Sequence, residues 1–510
     1  MLATAACGGG SSGGAGGAGG AGGGVSSTPA HGTLLQNPPQ FMALISATSL
    51  VPSLGVTDAQ ALALLAVAPL CDVAVYHLSY ETSGGAGEAT TASGALMVPV
   101  GIDGICLGAR PILLYAHGTS TDRDYDIADL LVQKNSEGIV LAAFFASQGY
   151  IVVAPNYAGY DTSTLPYHPF LDAVQQSGEM IDVLSAARSA LPVADAPLTY
   201  DGGRLFVTGY SEGGYVAMAT QRAMQAAGMP VTASAPMSGP YAVAAFVDSV
   251  FAGEVNGGAP ISATLLVTGY QKSYADIYVN AADVFSAQYA GDIQSLLPST
   301  ETRAALYAAG ELPATALFDA VAPAPQYADM TPATSPANLA VVFAQGFGAE
   351  PLVQNSYRVA YLLDAAANPD GGWPTVTTRV AASAPGLPLR QALVRNDLRN
   401  WVPTAPLMLC GGDSDPEVYW FNTSLMQGYW VSRAPGATSF SVLDIDAGAD
   451  ASGPFSALQT GFAVAKAAVA LSAVAGGATD GGASAVLGAY HAELVAPFCI
   501  AAVASFFSAQ

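Results

Sequence analysis

The sequence predicts an α/β fold: a mostly parallel central sheet with helices on both faces, interrupted by an inserted helical cap. Three observations predict it. Between about residues 110 and 240, short continuous apolar runs alternate with longer helix-period stretches, the pattern of successive βαβ units with strands buried on both faces. Over Tyr241–Trp401 the alternation stops, and Ala-, Pro- and Tyr-rich helical or loop-like sequence takes its place. It resumes with Ala405–Cys410 and Thr438–Asp444, so the intervening part reads as an insertion into one sheet.

Each element has a local reason. Leu50–Leu70 carries a helical period and gives way to Cys71–Tyr80, whose alternation marks a strand. Gly84–Gly87 is a turn and Ala92–Val100 the return strand. Pro111–Ala116 and Tyr150–Pro155 are the apolar runs of central parallel strands, with a helix over Ile139–Ser147 between them. Leu171–Leu191 is a long amphipathic helix, Arg204–Thr208 the next strand, Tyr215–Thr220 the start of a helix, and Val231–Pro236 one more buried strand. The loops bearing His117, Tyr157 and Ser211 all leave the carboxyl edge, where ligands bind in such sheets. Two helical stretches close the chain. Their apolar runs, Phe462–Ala475 and Leu494–Ala509, fall short of the ~20 residues of a membrane span and carry Lys466 or Pro497, so they read as buried helices.

Composition narrows the function classes. The chain has 510 residues, of which 51% are hydrophobic, enough for a large core. A net charge of −23 with only 15 Lys and Arg excludes nucleic acid and anionic membrane surfaces as partners, since both are bound through basic patches. The sequence calls for no metal and no cofactor. Residues 1–7 read as the truncated remnant of a lipoprotein-type signal ending at Cys7, a candidate lipidation site and the one expected route to a membrane tether. Residues 8–30, nearly all Gly, Ser and Ala, read as a flexible tether. Residues 31–240 and 402–510 are assigned to the core and 241–401 to the cap or lid.

The chemistry centres on Gly209-Tyr210-Ser211-Glu212-Gly213, a G-x-S-x-G elbow between an apolar strand and a helix. A serine hydroxyl needs a base to take its proton and an acid to orient that base, in the chain order Ser, acid, His. Of five histidines (His31, His77, His117, His168 and His491) only His491 follows Ser211, so elimination names the base. It lies in Gly488-Ala489-Tyr490-His491-Ala492-Glu493, read as a small-residue loop before the final helix. The acid is expected in Gly411–Val418, where Gly412-x-x-Asp415-x-x-Val418 favours Asp415; Asp413 is the runner-up, and Asp444 and Asp446 read as strand-end carboxylates. The oxyanion needs two backbone N–H donors: that of Glu212, after the nucleophile, and that of Thr119, in His117-Gly118-Thr119. His117 then serves to orient its loop.

Apart from Cys7, four cysteines remain, an even number that suits an exported, disulfide-bonded protein. Three pairings are possible. Cys71–Cys106 is the local choice, across the ends of a hairpin. Cys410–Cys499 then follows, and would fasten the acid loop to the histidine segment.

Taken in order, His117-Gly118-Thr119, P-N-Y-A-G-Y, G-Y-S-E-G-G, the acid-loop spacing and a late histidine resemble the α/β-hydrolase superfamily, and within it the secretory lipase family of the fungal lipase A type. The resemblance implies an α/β-hydrolase fold, a Ser211–Asp415–His491 triad, oxyanion donors at Thr119 and Glu212, and hydrolysis of carboxylic esters; small-molecule, lipid and polyester esters all stay open as substrates. In one departure, roughly forty residues separate Asp446 from His491. The reading is therefore an exported serine esterase or lipase, secreted or lipid-anchored at a bacterial envelope. A peptidase of the prolyl-oligopeptidase kind, or an inert surface-tethered binding protein on the same scaffold, are the alternatives.

Overall fold

The computed structural model describes residues 31–66, 68–130, 136–191, 199–370, 380–448 and 453–510; Cys7 and the 8–30 tether lie outside them. Nine strands form one sheet. They are β1 (Gln40–Ile45), β2 (Asp72–Ser83), β3 (Ala89–Val100), β4 (Gly108–Ala116), β5 (Ile151–Pro155), β6 (Thr199–Tyr210), β7 (Ala233–Met237), β10 (Leu407–Gly411) and β11 (Phe440–Asp444); β8 (Phe318–Asp319) and β9 (Phe347–Gly348) make a separate two-residue ladder. The order across the sheet is β1-β2-β3-β5-β4-β6-β7-β10-β11. β1, β2 and β3 pair antiparallel at one edge, and β5 through β11 run parallel.

The central runs are parallel because each is apolar on both faces and is joined to the next by a helix. Ile112–Ala116 and Ile151–Ala154 are buried throughout. The helices Ala173–Ala190 and Glu212–Ala226 cross over between parallel strands. The chain first adds β5 on one side of β4, then returns to place β6 on the other. That reversal at β4 opens a crevice at the carboxyl edge, and the loops after β4 and β6 both enter it.

Between β7 and β10 the chain leaves the sheet for helices, among them Val243–Phe251, Ala259–Tyr274, Asn355–Ala367 and Pro388–Asn396. Their inner faces join one contiguous apolar core with the sheet. Buried ion pairs fix the insertion internally: Arg390 to Asp248 at 2.8 Å, and Arg399 to Asp370 at 2.7 Å and to Asp397 at 2.8 Å.

Both expected disulfides form. Cys71–Cys106 spans 5.6 Å between Cα atoms and ties the start of β2 to the loop after β3. Cys410–Cys499 spans 5.7 Å and ties β10 to the last helix, Ala496–Ser508.

The structure adds one strand and corrects two expectations. β1 is a strand the sequence does not announce, because Gln40–Ile45 is short and lacks alternation. His491 does not sit in a loop: it lies in a π-helical turn, Tyr490–Val495, inside one continuous helical run over Ala483–Ser508. The two C-terminal helices are also longer than their apolar runs. Ser456–Ala475 and Ala483–Ser508 span 20 and 26 residues and are long and apolar enough to cross a membrane, with 17% and 67% of their most apolar windows buried. The second fits the expectation of a buried helix. The first does not, since its alanine-rich face, with Val464 and Leu471, is exposed.

Candidate active site

Ser211 stands at the end of β6 with φ 60° and ψ −122°, the strained turn an elbow requires. Its neighbours are glycines for steric reasons. A Cβ on Gly209 would lie 2.3 Å from the Gly213 carbonyl oxygen, and one on Gly213 would lie 1.9 Å from that of Ala116. The turn therefore presses against β4, whose Ala116 pairs with Gly209.

The other two expected residues meet it there. His491 Nε2 lies 2.9 Å from Ser211 Oγ, and His491 Nδ1 lies 2.7 Å from Asp415 Oδ2. Asp415 is buried, and its second oxygen accepts the N–H groups of Glu417 at 2.9 Å and Val418 at 3.0 Å. One carboxylate oxygen is thus held by the backbone and the other left for the imidazole. Burial disfavours the imidazolium, but the Asp415 charge more than offsets it and Glu417 adds to it, so the His491 pKa sits above its ordinary value. Asp413, the runner-up, is exposed and hydrogen-bonded to Ser414. Asp444 accepts the Asp413 N–H at 3.2 Å, while Asp446 pairs with Lys466 and accepts from the Tyr490 hydroxyl at 2.6 Å.

Four contacts bring His491 back to the sheet edge across the long connection. Beyond the Tyr490–Asp446 bond, the Tyr490 hydroxyl accepts the Ser414 N–H at 3.3 Å. Tyr210, next to the serine, donates its hydroxyl to the His491 carbonyl at 2.5 Å. The Cys410–Cys499 bond anchors the same helical run one layer further in.

The loop after β4 abuts the serine: a Cβ on Gly118 would lie 3.7 Å from Ser211 Cβ. Glu137 accepts the Gly118 N–H at 3.1 Å and the Tyr115 hydroxyl at 2.8 Å, and burial raises its pKa to about 6. The Thr119 N–H has no acceptor among the described residues. Glu212 opens its helix, at a position with no intrahelical acceptor for its N–H. These are the two donors named from sequence, and both line the cleft that holds Ser211 and His491. His117 is buried with its nitrogens against the carbonyls of Gly118 and Asn156, and burial pulls its pKa down to about 4, as suits an orienting group.

Sequence reasoning missed Glu137, Tyr490 and the pairing of His168 with Glu212 at 2.6 Å. Glu137 left one signal, a carboxylate opening an otherwise apolar helix. Among the described residues one group has the makings of a cation site, His77 with Asp126 and Asp161. It is a satisfied hydrogen-bond network: Asp161 Oδ2 accepts from His77 at 2.7 Å and Ser93 at 2.6 Å, and the Asn156 amide donates to Asp126 at 3.0 Å.

Known proteins share this architecture. Residues 140–251, from before β5 to beyond β7, match the prolyl oligopeptidase family. The rice cell wall degrading esterase LipA from Xanthomonas oryzae superimposes with a TM-score of 0.62 at 27% identity, covering 82% of this chain and 91% of LipA. The chain is a serine hydrolase of the α/β-hydrolase fold. A candidate hydrolase from Legionella pneumophila subsp. pneumophila shares the fold, with a TM-score of 0.58 at 18% identity over 81% of this chain and 91% of that one. Candida antarctica lipase A aligns at 12% identity and a TM-score of 0.47, over 81% of this hydrolase and 76% of the lipase. No curated protein matches the chain in sequence.

The hydrolase's cleft, of about 370 Å³, is lined by Ser211, His491, Thr119 and Glu212 among others. Phe170, Leu171 and Phe246 also line a second, smaller cavity of about 70 Å³ that runs into the insertion. Val250, Leu266 and Val353 wall it, so the cleft shares a side with an apolar recess.

Proposed function

We propose that this protein is an exported carboxylic-ester hydrolase working through an acyl-enzyme on Ser211. His491 takes the Ser211 proton as the hydroxyl attacks the ester carbonyl, and Asp415 holds the imidazole in the required tautomer and stabilises its cation. The Thr119 and Glu212 N–H groups receive the oxyanion. His491 then returns the proton to the leaving alcohol, and water releases the acid by the same route. No metal or cofactor enters these steps.

One observation carries the reading: the 2.9 Å and 2.7 Å hydrogen bonds that join Ser211, His491 and Asp415 in the order nucleophile, base, acid. Residues 241–401 act as the cap, and its apolar recess suits an acyl chain. The LipA likeness supports esters over amides. Two disulfides support a location outside the cytosol, and Cys7 is the proposed point of a lipid tether.

The match of residues 140–251 to the prolyl oligopeptidase family favours a second reading, peptide hydrolysis by the same serine. Turnover of p-nitrophenyl esters and of peptide anilides by wild type and Ser211→Ala separates them. Ester turnover abolished by Ser211→Ala supports the esterase; anilide turnover alone supports the peptidase. Activity surviving Ser211→Ala removes both.

A further inference from the structure

The P-N-Y-A-G-Y turn after β5 takes no part in the proton relay, yet it holds the Thr119 segment of the oxyanion hole on both flanks. The Tyr157 hydroxyl donates to the His117 carbonyl at 3.0 Å, and the Tyr160 hydroxyl donates to the Ser120 carbonyl at 2.6 Å. His117 and Ser120 bracket Gly118–Thr119, so two buried phenols pin the segment that presents the Thr119 N–H. Tyr157 holds this pose at a φ of 64°, a conformation that costs a side chain of its size and persists only where its surroundings enforce it.

His168 joins that segment to the other donor. Its ring packs on Tyr157 at 5.4 Å and on Tyr160 at 4.9 Å between centroids. Its Nε2 lies 2.6 Å from Glu212 Oε1, which also accepts from Gln176 Nε2 at 2.8 Å. His168 Nδ1 faces the Ala158 carbonyl at 3.2 Å, and a carbonyl can only accept, so Nδ1 carries a hydrogen. A single shared proton therefore closes the contact between Nε2 and Oε1. Both side chains are wholly buried. Burying a carboxylate against an imidazole is a weak source of stability, and what such a pair supplies is a fixed direction.

We propose that His168 is a positioning residue of the oxyanion hole, tying the Glu212 side of the elbow to the Tyr157–Tyr160 block that pins Thr119. The inference rests on the Ser211 chemistry proposed above. Donors must meet the oxygen where it sits in the transition state, so loosening them weakens transition-state binding and leaves the acyl recess untouched.

The test compares wild type, His168→Gln and Tyr160→Phe, each checked for cooperative thermal unfolding. It reads kcat and KM on a p-nitrophenyl ester and the rate at which an alkyl fluorophosphonate modifies Ser211. Expected for His168→Gln is a fall of roughly tenfold or more in kcat and in modification rate, with KM within about twofold. Tyr160→Phe, which removes one hydroxyl and keeps the ring, moves the same two quantities in the same direction by a smaller factor. It decides the matter alone if His168→Gln does not fold. Folded variants with kcat and modification rate within about twofold of wild type, or changes confined to KM, overturn the inference while the esterase reading stands. A wild type inert to both ester and fluorophosphonate overturns both.

Discussion

The Tyr490 hydroxyl donates to Asp446 Oδ2 at 2.6 Å, one residue before the histidine that contacts Ser211. The Tyr490 hydroxyl oxygen also accepts the Ser414 N–H at 3.3 Å, in the loop that carries Asp415. One phenol thus ties the end of β11, the acid loop and the histidine turn. Tyr490→Phe keeps the ring against Phe462 and removes the tie. It should lower kcat several-fold with little change in KM, and cost about 1.5–3 kcal/mol of stability, the range for a hydrogen bond to a charged group. Steady-state kinetics and chemical denaturation check both numbers.

The two disulfides should separate by function. Cys410–Cys499 closes a loop of 89 residues beneath the acid and histidine segments, and its loss should cost about 2–4 kcal/mol. Cys71–Cys106 closes 35 residues at the far end of the sheet. Replacing Cys410 and Cys499 together by Ala should lower both the melting temperature and kcat. The Cys71 and Cys106 double replacement should lower the melting temperature and leave kcat nearly unchanged.

The pH profile follows from His491. As the proposed base, His491 can accept the Ser211 proton only when neutral, and Asp415 holds its pKa above the ordinary 6.5. Activity should therefore be low in acid and rise with pH through a midpoint above 6.5, seen in kcat/KM for the free enzyme. Asp415→Asn removes the charge that raises the pKa, so residual activity should fall by orders of magnitude and its acid limb should move to lower pH.

The recess in the insertion should set chain length. Ala263 lines it, and Ala263→Trp should fill it. Across a series of p-nitrophenyl esters, acetate turnover should stay near wild type, while octanoate and longer esters should lose tenfold or more in kcat/KM. An unchanged profile would place the acyl chain elsewhere.

How much of this was legible in the sequence depends on how local each signal was. The Ser211 elbow could be read because its glycines are demanded by contacts within a few residues and with the adjacent strand. His491 could be named by elimination, but its setting could not. Gly488–Glu493 has the composition of a loop, and it is helical because the run continues into Ala496–Ser508 and Tyr490 is anchored to Asp446. Glu137, 19 residues from Gly118, and His168, 44 residues from Glu212, act through contacts no local pattern encodes. β1 was missed for a related reason: Gln40–Ile45 becomes a strand by pairing with β2, whose register it borrows.

Ester hydrolysis is proposed to pass through an acyl group on Ser211. Mass spectrometry of protein quenched during turnover of a p-nitrophenyl ester, followed by peptide mapping, tests it most directly. One acyl group is expected on the peptide bearing Ser211, absent in Ser211→Ala and strongly reduced in His491→Ala. Acylation mapped to another residue, or ester turnover undiminished in Ser211→Ala, would contradict it.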